Sequence, residues 1–208
     1  MTHTKLTRFA AVAAPVAIIV GWAIQHSMGT EGREPGWTLA HLAWLAAYPL
    51  LIPVSAALYR VARPPAAAGR VAARVYFGLS VFGAASLAAQ MLIDLVSGWA
   101  TASNDAMHAF TEKLTSAPGV ELVVYILGPA VLFIALAAQA IDAAARRRVP
   151  ALAPICVSAA VLVMLADRLV DTPVRLTMPV AAVLLLIGLL RATTGDIRAS
   201  RAAATSGV

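Results

Sequence analysis

The chain has 208 residues, of which 61% are hydrophobic and only 12% are charged, and its formal net charge is +6. Soluble domains usually contain about 25% charged residues, so this composition excludes an ordinary soluble domain and indicates a polytopic membrane protein. The basic excess does not predict a nucleic-acid partner, because the basic residues lie between the hydrophobic stretches, where membrane topology accounts for them.

Six apolar stretches of membrane-spanning length follow one another along the chain. The first exceeds the hydrophobic region of a signal peptide, typically about 7–15 residues, and no clear cleavage motif follows it, so we expect a retained helix. The predicted helices cover residues 9–28, 37–61, 71–99, 118–144, 150–170 and 174–190. The sequence therefore predicts an all-α membrane bundle of six transmembrane helices in one domain, 1–191, and a disordered cytoplasmic tail at 192–208.

The distribution of Lys and Arg among the connecting loops predicts the orientation in the membrane. With the N-terminus inside, twelve of the 16 basic residues lie on the inner side and four on the outer side. Both termini are therefore predicted to be cytoplasmic, in a multi-pass protein of the cell membrane that contacts its lipids. The acidic residues were not used in this count, and only Asp142 and Asp196 fall on the inner side.

Polar side chains within the predicted helices collect toward the outer side. A carboxylate inside a bilayer is costly, so Asp94 is a functional candidate, and Gln90 lies one helical turn deeper on the same face. Asp94 follows Arg74 by about 30 Å of helix, which places it within a turn or two of the outer surface. Other helices add Trp22, His26, His41, Trp44, Tyr48, Glu121, Tyr125, Asp167 and Arg168. If the helices converge, these residues form a pocket with acids at its rim and aromatic rings along its wall.

Several of these candidates also have a purely structural explanation. His41 lies near the start of its helix, where a hydrogen-bonded interfacial histidine is common. Glu121 falls in a first helical turn, where the helix dipole favours a carboxylate. Asp167 and Arg168 can form salt bridges around a tight turn. Both interpretations stay open at the level of sequence.

The polar segment before the fourth predicted helix contains its own short helix signal. Ser103-Asn104-Asp105 can cap such a helix, and Met107, Phe110 and Leu114 would then share one apolar face. We expect this helix to lie in the outer interface, either as a lid over the polar residues or as an ordinary loop helix.

Motifs of the commoner enzyme chemistries are missing from the sequence. There is no Walker loop, no GxGxxG, HExxH or GxSxG pattern, and no Asp-rich DDxxD sequence of the kind that binds Mg²⁺ and a diphosphate. The single Cys156 excludes an intramolecular disulfide and a cysteine-based metal motif. A haem site would have to use His26 and His41, the two histidines that could meet at one site, and no further motif supports it. We therefore predict neither a metal nor a cofactor.

The small size, the multiple membrane helices, the acids in separate helices and the aromatic lining resemble the small integral-membrane terpene cyclases. That family includes bacterial members that act on prenylated indole or diketopiperazine compounds. The resemblance implies a cyclase of isomerase or lyase type, in which a carboxylic acid protonates a prenyl alkene or epoxide and aromatic rings stabilise the carbocation. The candidate acids are then Asp94, Glu121 and Asp167. The lipophilic prenylated substrate would be bound by Trp22, His26, His41, Trp44, Tyr48, Gln90, Tyr125 and Arg168.

Two other classes of function stay open. A small proton-coupled transporter or channel would use Asp94, Asp167 and Arg168 as carrier groups, although the sequence shows no inverted repeat. A non-enzymatic membrane subunit would bind a partner through the same polar residues. The direction of the polar side chains distinguishes the three: one aromatic-lined cavity favours an enzyme, a polar path across the bundle favours transport, and outward-facing side chains favour a subunit.

Overall fold

The computed structural model describes residues 3–28, 34–62, 64, 66–169 and 176–205, without the side chains of 3, 167–169 and 194–205. This part of the chain is 90% helical and has no strands, which confirms the predicted all-α class. Its helices are α1 (His3–Met28), α2 (Pro35–Ala62), α3 (Ala67–Ala100), α4 (Asn104–Thr115), a π-helical segment (Glu121–Leu127), α5 (Gly128–Ala145), α6 (Leu152–Leu169) and α7 (Thr177–Thr205).

Among the described residues, four stretches of helix are long and apolar enough to cross a membrane: Thr4–Met28, Pro35–Ala62, Ala67–Ala100 and Glu121–Ala145. Two shorter apolar helices cover Leu152–Ala166 and Thr177–Thr193. Large apolar side chains stay exposed on several of these helices, among them Phe9, Leu92, Ile155 and Leu162. An exposed apolar surface of this extent is typical of helices that face lipid, because water would not tolerate it without a partner.

The long helices pack in a ring. α1 contacts α2, α2 contacts α3, α3 contacts α5, α5 contacts α6, α6 contacts α7, and α7 returns to α1. Small residues allow the closest approach. A Cβ atom on Gly83 of α3 would lie 2.6 Å from the backbone nitrogen of Leu132 and 2.7 Å from the carbonyl oxygen of Gly128, both in α5. α3 and α5 therefore touch through their backbones, which fixes the helix that carries Asp94 against α5.

A buried polar cluster joins α2, α3 and α5. The amide nitrogen of Gln139 donates to the hydroxyl oxygens of Ser55 at 2.9 Å and Ser80 at 3.0 Å. Ser80 in turn donates to the carbonyl oxygen of Tyr76 at 3.0 Å. Gln139, Ser55 and Ser80 are 2%, 0% and 0% exposed, so these bonds satisfy polar groups that water does not reach. The cluster therefore fixes the three helices relative to one another.

The fourth predicted span, 118–144, is divided in the structure. Pro129 has no N–H, so the carbonyl of Tyr125, four residues earlier, lacks the donor that a regular α-helix would supply. The N–H of Gly128 instead bonds to the carbonyl of Val123, five residues back, which is the π-helical pattern. The chain thus enters α5 through a wider turn, and Tyr125 lies within it.

The last helix is longer than the predicted sixth span. α7 runs to Thr205, whereas the span was predicted to end at residue 190 and a disordered tail to start at 192. The segment is rich in Ala and Arg, two of the strongest helix formers, and contains no proline, so nothing in it ends the helix that the apolar part begins. Residues 206–208 lie outside the described residues.

Candidate functional site

A cavity of about 530 Å³ lies inside the ring, between α1, α2, α3, the π-helical segment, α5, α6 and α7. Small-molecule sites typically measure about 300–1,000 Å³, so its size fits a ligand. Apolar residues such as Leu87, Met91, Phe133 and Val161 form much of the wall. The polar side chains on the wall belong to His41, Tyr48, Gln90, Asp94, Tyr125 and Thr177. The cavity is therefore apolar overall, with a small set of groups able to do chemistry.

Asp94 is the acid on this wall. Its side chain is 15% exposed, and its Oδ1 atom accepts a hydrogen bond of 2.7 Å from the hydroxyl of Tyr125. The indole of Trp37 donates to the backbone carbonyl of Asp94 at 3.3 Å. The carboxyl group is thus held from the π-helical segment and the backbone of Asp94 from α2.

His41 lies beside the second carboxyl oxygen of Asp94. Its Nδ1 atom is 2.8 Å from the carbonyl oxygen of Trp37, and its Nε2 atom is 3.8 Å from Oδ2 of Asp94. A carbonyl oxygen can only accept, so Nδ1 carries hydrogen and Nε2 is the atom free to take up or release a proton. The ring centroid of His41 lies 4.0 Å from that of Trp37 and 5.1 Å from that of Trp44. His41 is therefore fixed in orientation, with its reactive nitrogen toward Asp94.

Trp44 of α2 packs against α1. Its indole N–H donates to the carbonyl oxygen of Ile18 at 3.1 Å. A Cβ atom on Gly21, one turn further along α1, would lie 2.7 Å from Cδ1 of Trp44, so only glycine leaves room for the ring there. Trp44 and Tyr48 are each 6% exposed, and both line the cavity. Their rings supply the aromatic wall predicted from the helical spacing.

Gln90 lies one turn from Asp94 on α3 and also lines the cavity. Its Oε1 atom is buried and has no hydrogen-bond partner in the part of the chain that the structure describes. A buried acceptor without a donor is costly, which distinguishes Gln90 from Gln139, whose amide is bonded to two serines. Among the described residues, the oxygen of Gln90 is therefore an unsatisfied acceptor packed behind the cavity wall.

Three of the predicted site residues do not line the cavity: Trp22, His26 and Glu121. His26 is exposed, and its Nδ1 atom lies 2.8 Å from the carbonyl oxygen of Trp22, with the two rings 4.4 Å apart. Glu121 is exposed at the start of the π-helical segment. The side chains of Asp167 and Arg168 lie outside the described residues, so the roles predicted for them stay predictions.

The predicted short helix before the fourth span is present as α4. Ser103 caps it, because its hydroxyl oxygen accepts a bond of 3.3 Å from the N–H of Ala106. Met107 is buried, whereas Leu114 is 39% exposed. No residue of α4 belongs to the cavity wall, so the interpretation as a lid gains no support from the described contacts.

Several wall residues were not predicted. Met91, Phe133, Met164 and Met178 are apolar residues in apolar helices, so nothing in a single sequence separates them from lipid-facing neighbours. Trp37 was not among the predicted site residues, yet it contacts both His41 and Asp94. Among the residues with described side chains, no group of three or more His, Cys, Asp or Glu is placed to hold a metal.

The site combines one carboxyl group, one imidazole and two phenols at an apolar, aromatic-lined cavity. This arrangement can transfer protons to and from a ligand while limiting contact with water. No family model, curated protein or solved structure matches the chain. The chemistry of these residues is therefore the basis for assigning a function.

Proposed function

We propose that the protein is an integral-membrane enzyme that transfers protons to and from a lipophilic substrate, with Asp94 as its catalytic acid. The observation that carries this proposal is the position of the carboxyl group, which lies on the wall of an apolar cavity with Tyr125 on one oxygen and His41 beside the other. A carboxyl group in an apolar setting can be kept protonated until a substrate receives its proton. A purely structural acid would not need a cavity in front of it.

The proposed substrate carries a prenyl alkene or epoxide. Asp94 gives its proton to an alkene carbon or to the epoxide oxygen, and the carboxylate that remains is stabilised by the hydrogen bond from Tyr125. The carbocation forms a new carbon–carbon bond and then loses a proton from a neighbouring carbon, which creates a double bond. Nε2 of His41 accepts this proton and returns it to Asp94, so the cycle consumes no second substrate.

The aromatic wall supports a cationic intermediate. Trp44, Tyr48 and Phe133 line the cavity, and the negative faces of aromatic rings attract a cation by about 0.5–2 kcal/mol each. An apolar wall also limits the water that would otherwise capture the cation. These properties support a terpene cyclase, the class that the sequence resembles, acting on a prenylated compound.

We also propose that the chain crosses the membrane six times. In addition to the four long helices, the shorter apolar stretches Leu152–Ala166 and Thr177–Thr193 would cross the bilayer, because they complete the ring around the cavity. The basic residues between the helices place both termini in the cytoplasm and Asp94 toward the outer side of the cell membrane.

The two alternative classes receive less support from the site. A subunit would direct its polar side chains outward, whereas His41, Gln90 and Asp94 line an internal cavity. A transporter would need polar groups along a path across the bundle. Gln139 does not line the cavity but bonds to Ser55 and Ser80 in the core, so this polar cluster does not extend such a path.

The experiment uses the purified protein in liposomes, farnesylated indoles and their terminal epoxides as substrates, and mass spectrometry of the products. The wild type is expected to convert at least one substrate to a cyclic isomer. The Asp94→Asn variant should lose this activity, whereas Glu121→Gln, which changes an exposed acid outside the cavity, should keep it. Cyclised product from the Asp94→Asn variant at the wild-type rate would exclude Asp94 as the acid.

A further inference from the structure

Part of the cavity wall is also part of the outer surface of the protein. Ile126, Ile134 and Leu165 line the cavity, and they are 55%, 51% and 40% exposed. Ile126 and Ile134 lie two turns apart on the continuous helix Glu121–Ala145, and Leu165 lies on α6. The cavity therefore opens sideways, between α5 with its π-helical segment and α6.

The surface around this opening is apolar. Leu122, Leu127 and Ile141 on one side and Leu162 on the other are between 43% and 65% exposed. Such a surface faces the acyl chains of a bilayer more favourably than it faces water. A molecule that reaches the opening is therefore one that dissolves in the bilayer.

The wall of the cavity combines two kinds of surface. His41, Gln90 and Asp94 supply polar groups, whereas Leu87 and Phe133 are apolar. A ligand that matches both carries a polar group and an apolar part.

We propose that the cavity takes up an amphiphilic, membrane-dissolved ligand through the opening between α5 and α6. The proposal rests on the proposed function for the identity of the site, but uptake does not require the chemistry of Asp94. The ligand then lies with its polar group near Asp94 and its apolar part along Leu87, Met91 and Phe133.

The route is tested by photolabelling in liposomes with a diazirine-bearing prenyl alcohol, followed by mapping of the labelled peptides. Label is expected on cavity residues such as Met91 and Met178. Replacing Ile134 and Leu165 together by Trp should narrow the opening and reduce this label severalfold. The matched control replaces Leu152 and Ile155 together by Trp, which adds the same bulk at two exposed sites of α6 outside the cavity and should leave the label unchanged.

A second pair of substitutions distinguishes a narrower opening from a misfolded protein. Replacing Ile134 and Leu165 together by Ala should widen the opening and speed the labelling of the cavity. Equal labelling in the Trp pair, the Ala pair and the wild type would overturn the route, as would the absence of label in the wild-type cavity.

The two proposals can fail separately. Uptake is measured as label in the cavity and the reaction as cyclised product, so each proposal has its own readout. Labelling that depends on the opening, without product from any prenylated substrate, would leave the uptake proposal standing and remove the proposed reaction.

Discussion

The hydroxyl of Tyr125 donates to Oδ1 of Asp94 across 2.7 Å and so joins the π-helical segment to α3. The bond depends on a local irregularity, because Pro129 removes the donor that would keep the turn around Tyr125 α-helical. π-Helical turns of this kind are frequent at functional sites. In the proposed reaction, this bond stabilises the carboxylate that appears when Asp94 gives up its proton.

The Tyr125→Phe variant should therefore have a lower kcat and a nearly unchanged KM. The ring and the shape of the cavity remain, and only the donor to Asp94 is lost, which corresponds to about tenfold in rate for a hydrogen bond to a charged group. Steady-state kinetics in liposomes measure the effect. The control is Tyr59→Phe, since Tyr59 stacks on Phe77 at 5.7 Å and does not line the cavity. A Tyr125→Phe variant with the wild-type kcat would contradict the role of this bond.

The His41→Asn variant should alter the pH profile of kcat. Its side-chain N–H can still donate to the carbonyl of Trp37, but the nitrogen that faces Asp94 is lost. We expect a bell-shaped profile for the wild type and the loss of one limb in the variant, because one of the two proton-transferring groups is missing. A change that affected only packing would lower kcat at every pH equally.

His26 offers a matched control for this experiment. It makes the same contact to the carbonyl of a tryptophan one turn earlier, at 2.8 Å, but it is exposed and lies outside the cavity. The His26→Asn variant should keep both limbs of the profile. If it behaves like the His41→Asn variant, the assignment of His41 as the proton acceptor is wrong.

The close contact between α3 and α5 predicts a large effect of one methyl group. Gly83→Ala would place a Cβ atom 2.6 Å from the backbone of α5, so the helices must separate, at a cost of about 1–3 kcal/mol. Gly78→Ala, on the same helix, meets nothing within 4 Å and should be neutral or stabilising by up to about 1 kcal/mol, since Ala is the better helix former. Thermal unfolding in detergent compares the two, and equal midpoints would contradict the packing.

A substitution in the buried polar cluster should lower the free energy of unfolding more than one in a partly exposed ion pair. Gln139→Leu leaves Ser55 without its partner and should lower the free energy of unfolding by about 1–3 kcal/mol. Asp142→Asn removes the negative charge from the 2.9 Å ion pair with Arg146. The two side chains are 32% (Arg146) and 27% (Asp142) exposed, so the change should cost about 0–1 kcal/mol. Chemical denaturation of both variants provides the measurement, and the reverse order would show that the cluster contributes little.

Helical periodicity was sufficient to predict part of the site. His41, Trp44 and Tyr48 were expected on one face of a helix and Gln90 with Asp94 on another, and all five residues line the cavity. These predictions need only the repeat of a regular helix, which is a local property of the sequence.

The same rule fails where the helix is not regular. Glu121 and Tyr125 are four residues apart and would share a face of an α-helix, yet Glu121 is exposed while Tyr125 reaches the cavity. The wider π-helical turn between them removes the i, i+4 alignment. The placement of Trp22 and His26 depended instead on how α1 sits against its neighbours, which no local pattern in α1 specifies.

Trp37 makes the α2–α3 side of the site more rigid than the α5–α6 side. Its side chain donates to the backbone of Asp94 at 3.3 Å, and Trp99 of α3 donates to Thr38 of α2 at 3.0 Å, so α2 and α3 cannot separate here without breaking both hydrogen bonds. The carbonyl of Trp37 holds the ring of His41 at 2.8 Å within α2. The opposite wall is built from aliphatic side chains of α5 and α6, which can change rotamer without breaking a hydrogen bond. A ligand can therefore part the α5–α6 side while the distance between acid and imidazole stays constant.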